Sequence, residues 1–331
     1  MLGRTAAVVT LSLALPWVIA CSSRDSPDHI PGGASAGSSV SSSGANTTAA
    51  TTGGGGDGSG PVPNEADLPV PYGTCPVFIN GKNSVTIAGL PTRGVELRYT
   101  TASQAKNGPL VIIWHGEDET PKGALEELLG SKYVAKVLND GGVVAVPERD
   151  PSTKGAVWFS SQGDYAIDDD FVVQDQLVAC TRQQFGIDTR HIHVIGYQRG
   201  GFQATHAALV RSGYVASVVV HSGGVAGMPV EQRAGLSYPL MILHGGETLD
   251  VASENYGATS VALAKLLAQG AAPFTAEHFT VICDHGSGPA IATDALPATY
   301  TFLMDHPFGV AGSPYAQGLP SEFPPYCSIQ Q

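Results

Sequence analysis

The chain of 331 residues carries a net charge of −12 and no basic cluster. That balance excludes a nucleic-acid partner and electrostatic adhesion to anionic lipid. No phosphate loop or dinucleotide fingerprint is present, so no cofactor is expected, and no cysteine or histidine spacing predicts a metal site.

Residues 1–20 read MLGRTAAVVTLSLALPWVIA. One arginine precedes a short apolar run and a small residue. This is the pattern of a secretory signal peptide, too short for a stable membrane span. The run ends in Val18-Ile19-Ala20-Cys21, which resembles the lipobox of bacterial lipoproteins. The resemblance implies cleavage before Cys21, a lipid on Cys21 and a bacterial membrane as partner. Ser22 stands where an aspartate would resemble an inner-membrane retention signal, which points to the outer membrane or cell surface. From Cys21 to residue 63 the chain is rich in Ser, Gly, Thr and Ala. Such a segment buries too little apolar surface to offset its ordering entropy, so a flexible tether is expected. Its reach is roughly 35 Å.

Residues 64–331 form one domain with no further linker or repeat. With Cys21 lipidated, Cys75, Cys180, Cys283 and Cys327 remain. An even number in an exported domain predicts two disulfides and leaves their pairing open.

Segments 83–90 and 94–100 read as successive strands. Residues 110–114, LVIIW, are a continuous apolar run, as expected of a strand buried on both faces. Helical spacing covers 123–139, and 142–146 is strand again. A helix over 168–185 carries acidic residues at its amino end, where they complement the dipole. Strands at 191–195, 216–221, 239–243 and 278–283 alternate with helices at 201–211, 254–269 and 294–305. Eight strands with interleaved helices predict an α/β fold with a mostly parallel, doubly wound sheet.

The segment 191–201 reads HIHVIGYQRGG. A short strand, a glycine-flanked turn and a helix start outline a nucleophile elbow, in which G-x-S-x-G lifts a serine onto a strained turn. The central position here is Gln198. A carboxamide is no nucleophile: its nitrogen lone pair is delocalised, and it has no proton that a base could remove.

Further signatures accompany the elbow. Trp114-His115-Gly116 follows the third strand, and Trp158-Phe159 and Asp168-Asp169 precede the helix containing Cys180. Gly186-Ile187-Asp188-Thr189-Arg190 leads into the elbow strand, and Gly200-Gly201 closes it. His221-Ser222-Gly223-Gly224 and His244-Gly245-Gly246 follow the next two strands. Cys283-Asp284-His285-Gly286-Ser287-Gly288, His306-Pro307-Phe308-Gly309 and Pro325-Tyr326-Cys327 complete the series. In this order they resemble the secreted polyhydroxybutyrate-depolymerase and feruloyl-esterase group of α/β hydrolases. The resemblance implies an α/β-hydrolase fold. It also places a catalytic serine at Gln198, a histidine at Pro289 and an aspartate at Thr248, with Asp250 as the alternative. The oxyanion region falls on His115, Gly116, Glu117 and Arg199. Glu117, Asp118 and Glu119 there would oppose a developing negative charge unless they point into solvent.

A proline nitrogen shuttles no proton, so the serine and histidine positions both lack their chemistry. The reading is a tethered pseudoenzyme that keeps a ligand cleft at the carboxyl ends of the strands. Gln198 and Arg199, with Trp114 nearby, would offer donors to a ligand. The ligand class is a small molecule, a polyester or a plant-polysaccharide ester. The alternative is an active carboxylic-ester hydrolase using the displaced residues Ser222, His285 and Asp250. His191 and His193 share one strand face but have no third ligand, so packing roles are expected.

Overall fold

The computed structural model describes residues 65–151, 158, 167–225, 236–271, 278–310 and 312–330. The signal segment, Cys21, the tether and Phe159 lie outside the described residues.

The strands are β1 (Gly81–Val85), β2 (Arg93–Arg98), β3 (Leu110–Trp114), β4 (Val143–Pro147), β5 (Ile192–Tyr197), β6 (Ser217–His221), β7 (Leu240–His244), β8 (Thr280–Asp284) and β9 (Cys327–Gln330). The helices are α1 (Pro121–Leu128), α2 (Ser131–Asn139), α3 (Ile167–Phe185), α4 (Arg199–Val210), α5 (Tyr256–Ala268) and α6 (Leu296–Asp305). One sheet runs in the order β1-β2-β4-β3-β5-β6-β7-β8-β9. The strands from β4 to β8 are parallel. The β1-β2, β2-β4 and β8-β9 pairings are antiparallel.

The eight expected strands are all present, and β9 makes the sheet nine-stranded. The sequence reading missed β9 because CSIQ is short, only half-buried and an edge strand. Its position is set by a tertiary bond: Cys327 faces Cys283 across the β8-β9 ladder and is joined to it by a disulfide. The other disulfide, Cys75–Cys180, fastens the amino-terminal segment to α3. Two disulfides fit an extracytoplasmic domain. No helix among the described residues is long and apolar enough to cross a membrane.

The expected helix over 123–139 is two helices. Gly130 adopts φ 78 between them, a left-handed value that ends one helix and turns the chain into the next. Asp170, read from sequence as complementing the α3 dipole, serves a different contact. It is buried against Arg93 at 2.8 Å, with Asp150 at 3.3 Å on the same guanidinium.

The apolar runs are explained by a core on each face of the sheet. Leu110, Ile112 and Trp114 of β3 pack with Leu177 of α3, Ala204 of α4 and Leu263 of α5. Val111 and Ile113 pack on the other face with Leu128 of α1, Val137 of α2 and Phe302 of α6. A strand covered on both faces has no use for polar alternation. The chain runs outward from β3 to β4, then crosses back through α3 to β5. The strand order therefore reverses between β3 and β5, and a crevice opens at their carboxyl ends.

Candidate active site

Register brings the critical loops together at that crevice. Trp114 pairs with Gly196, Tyr197 with His221, and His244 with Asp284. The loop after β3, the elbow after β5 and the loops after β7 and β8 therefore meet at one edge.

The elbow has the backbone of a nucleophile turn. Gln198 adopts φ 51 and ψ −119, a strained conformation that costs an L-residue about 1–3 kcal/mol. Its amide nitrogen donates to His221 O at 3.0 Å, and its carbonyl accepts from Phe202 N at 3.1 Å. The flanking glycines are there for space. A Cβ on Gly196 would stand 2.1 Å from Gly200 O, and one on Gly200 would stand 2.1 Å from Trp114 O.

A hydrogen-bonded chain crosses the top of this turn. Gln198 Nε2 donates to the Tyr197 hydroxyl at 3.1 Å, and that hydroxyl donates to Pro289 O at 3.0 Å. Tyr197 thus joins the elbow residue to the loop after β8. Burial pushes the Tyr197 phenol up, and the carboxylates of Glu119 and Asp250 push it further, so it stays protonated. Sequence reasoning assigned Tyr197 no role, because an aromatic residue at a strand end reads as core.

Of the two residues expected for the acid, Asp250 is buried and Thr248 is exposed. Asp250 Oδ2 accepts from Gly245 N at 3.0 Å, while Oδ1 is buried with no hydrogen-bond partner. The same loop is held to the β8 side by Gly288 N donating to Gly245 O at 2.9 Å.

The acidic run after β3 divides three ways. Asp118 is exposed. Glu117 turns inward: its Oε1 accepts from Arg199 Nε at 3.0 Å, from the Tyr256 hydroxyl at 2.6 Å and from the Ser253 hydroxyl. Burial pushes the Glu117 carboxyl up, but the Ser253, Tyr256 and Arg199 donors outweigh it and hold it below the usual range. Glu119 turns back onto its own loop, and its Oε2 accepts from Gly116 N at 2.6 Å. Its Oε1 is buried without a donor. Burial, with the Glu127 carboxylate beside it, pushes Glu119 up to about 7 despite the Gly116 hydrogen bond. The contact between the two acids becomes a hydrogen bond only when one of them carries a proton.

The expectation that Arg199 and Trp114 face a ligand is corrected by these contacts. The Arg199 guanidinium bridges Glu117 and Glu254, the latter at 2.7 Å. Trp114 is fully buried, with Nε1 donating to Gln174 Oε1 at 3.3 Å. His115 is buried too, and burial lowers its pKa. Its Nδ1 lies 2.8 Å from Gly116 O.

The displaced set is not joined by hydrogen bonds. Ser222 is 1% exposed and its Oγ has no partner. His285 is half-buried, with Nδ1 accepting from Ser287 N at 3.3 Å. Ser222 does share one trait with Gln198: these two are the non-glycine residues with positive φ among the described residues. His191 and His193 make ordinary contacts, to Asp188 at 2.8 Å and to the Ser217 hydroxyl at 2.9 Å.

No protein-family model and no curated protein matches this chain. Solved structures do share its fold. Native sOPH aligns with a TM-score of 0.57 and 18% identity, over 80% of this chain and 97% of that one. Native pOPH aligns with a TM-score of 0.58 and 17% identity, over 80% and 98%. A thermostable esterase aligns with a TM-score of 0.52 and 14% identity, over 68% and 62%. The domain has the α/β-hydrolase fold.

Proposed function

We propose that this chain is a membrane-tethered lipoprotein whose esterase-like domain has lost serine-hydrolase activity and works by binding a ligand. The observation that carries this reading is the Gln198–Tyr197–Pro289 chain at the elbow. Acyl transfer needs a hydroxyl or thiol whose proton a base can take. Here the elbow side chain is an amide, the bridging phenol is held in its protonated form, and the final acceptor is a backbone carbonyl. The carbonyl accepts a hydrogen bond but does not take up a proton at ordinary pH. The Gly116 N–H, which lies in the oxyanion loop, is engaged by Glu119, so a tetrahedral oxyanion would meet a carboxylate there.

The ligand class follows the esterase-like architecture: a small molecule, a polyester or a plant-polysaccharide ester. The tether would hold the domain near an outer membrane or cell surface while leaving it free to move.

The test uses a fluorophosphonate probe and short-chain p-nitrophenyl esters on the mature chain. The expected result is no labelling and hydrolysis at the uncatalysed rate. The positive φ of Ser222 favours one rival reading, a nucleophile moved to the end of β6. Labelling that disappears in a Ser222→Ala variant would establish that rival and end the pseudoenzyme reading.

A further inference from the structure

We propose that the cavity between the loops after β3 and β4 is a carboxylate-binding site, gated by Glu119 and charged by Arg149. The inference rests on the ligand-binding reading above and names the ligand's chemistry. The cavity measures about 340 Å³ and is lined by His115, Glu119, Thr120, Glu148 and Arg149, among others. It lies at the carboxyl ends of β3 and β4.

The donors nearest Gln198 are already engaged: Arg199 by Glu117 and Glu254, Gly116 N–H by Glu119, and the Tyr197 hydroxyl by Pro289 O. Arg149 differs. It is exposed and forms no ion pair with any described residue, whereas Arg93, Arg98, Arg199 and Arg211 each hold a carboxylate. A guanidinium on a cavity wall presents a planar fork that matches a carboxylate. Its field reaches the site, since Arg149 is among the groups that lower the pKa of His115.

Glu119 decides when the cavity accepts an anion. Ionised, it presents negative charge to the cavity and keeps the Gly116 N–H. Protonated, it loses that charge, becomes a donor itself and releases its hold on the N–H. The groups facing it are Glu127 from α1 and Tyr197 from β5, and His115, Glu148 and Arg149 line the same cavity. Glu127 and the buried wall favour the protonated form, and only the Gly116 N–H favours the ionised one. Glu148 also lines the cavity, but its carboxylate lies against Gly94 of β2. A carboxylate ligand therefore binds together with one proton. Above the Glu119 transition its affinity falls about tenfold per pH unit. A neutral ester lacks the charge that Arg149 recognises.

The experiment is calorimetric titration of the mature chain with acetate, 3-hydroxybutyrate and benzoate, each beside its methyl ester, from pH 5.5 to 8.5. The expected result is that at least one carboxylate binds and its ester does not. Affinity should fall about tenfold per unit above pH 7, and buffers of different ionisation enthalpy should report uptake of one proton. Arg149→Gln should weaken binding at least tenfold at every pH, and Glu119→Gln should bind with little pH dependence. No binding by any of the acids at pH 5.5, equal binding of acid and ester, or an unchanged pH slope in Glu119→Gln overturns the proposal. Fluorophosphonate labelling of the same sample keeps the two readings apart. A labelled protein removes the pseudoenzyme reading, whereas an unlabelled protein that ignores carboxylates removes this proposal alone.

Discussion

Re-arming the elbow tests the site geometry most directly. Gln198→Ser with Pro289→His restores a nucleophile and a base, and Asp250, with its unpartnered Oδ1, supplies the acid that would orient the new imidazole. The serine inherits the φ 51, ψ −119 turn that the glutamine already occupies, so no new backbone strain arises. Losing either serine or histidine from a working triad costs about 10⁶ in turnover, which bounds what restoration can return. The structure predicts that the double variant falls well short of that bound. Glu119 Oε2 still sits 2.6 Å from the Gly116 amide, and one missing oxyanion donor costs about 10²–10³. Adding Glu119→Ala should therefore raise kcat on p-nitrophenyl acetate by about 10²–10³ over the double variant. The gain should be largest above pH 7, where Glu119 is ionised. Initial rates across pH 6 to 9, with the acyl-enzyme burst as active-site count, measure this. Equal rates in the double and triple variants would refute the claim that Glu119 closes the oxyanion loop.

Three further outcomes follow from the packing. Gly200→Ala places a Cβ 2.1 Å from Trp114 O and 2.4 Å from His115 O, which are backbone atoms with nowhere to go; thermal unfolding should show a loss of about 1–3 kcal/mol or more. Arg93→Met removes the guanidinium that buried Asp150 and Asp170 share; chemical denaturation should report a loss of about 3–5 kcal/mol, and an unchanged midpoint would show that the cluster is not structural. Removing the Cys75–Cys180 bond, which spans 105 residues, with paired serines should cost about 2–5 kcal/mol in the same assay.

The architecture was legible because it is written in local patterns. LVIIW, GVVAV and PLMIL are apolar on both faces, and only a strand covered on two sides tolerates that. The glycines of Gly196-Tyr197-Gln198-Arg199-Gly200 announced the elbow because backbone passes within about van der Waals contact of both, a steric demand that residue identity alone encodes. The amide at Gln198 and the ring at Pro289 were equally plain, since their missing chemistry depends on no neighbour.

What the fold decided was which groups meet. In the sequence Glu117, Asp118 and Glu119 are three adjacent acids. In the structure Glu117 reaches Arg199, which β3 and β5 bring close by lying side by side, while Asp118 faces solvent and Glu119 folds back onto Gly116 of its own loop. Asp250 separated from Thr248 only when the loop after β7 buried one and exposed the other. The disulfide partners and β9 depended on chain ends brought to the sheet from far along the sequence. Periodicity and backbone sterics act over a few residues, so sequence carries them directly. Hydrogen bonds and ion pairs between loops depend on distances that exist only after the sheet has assembled.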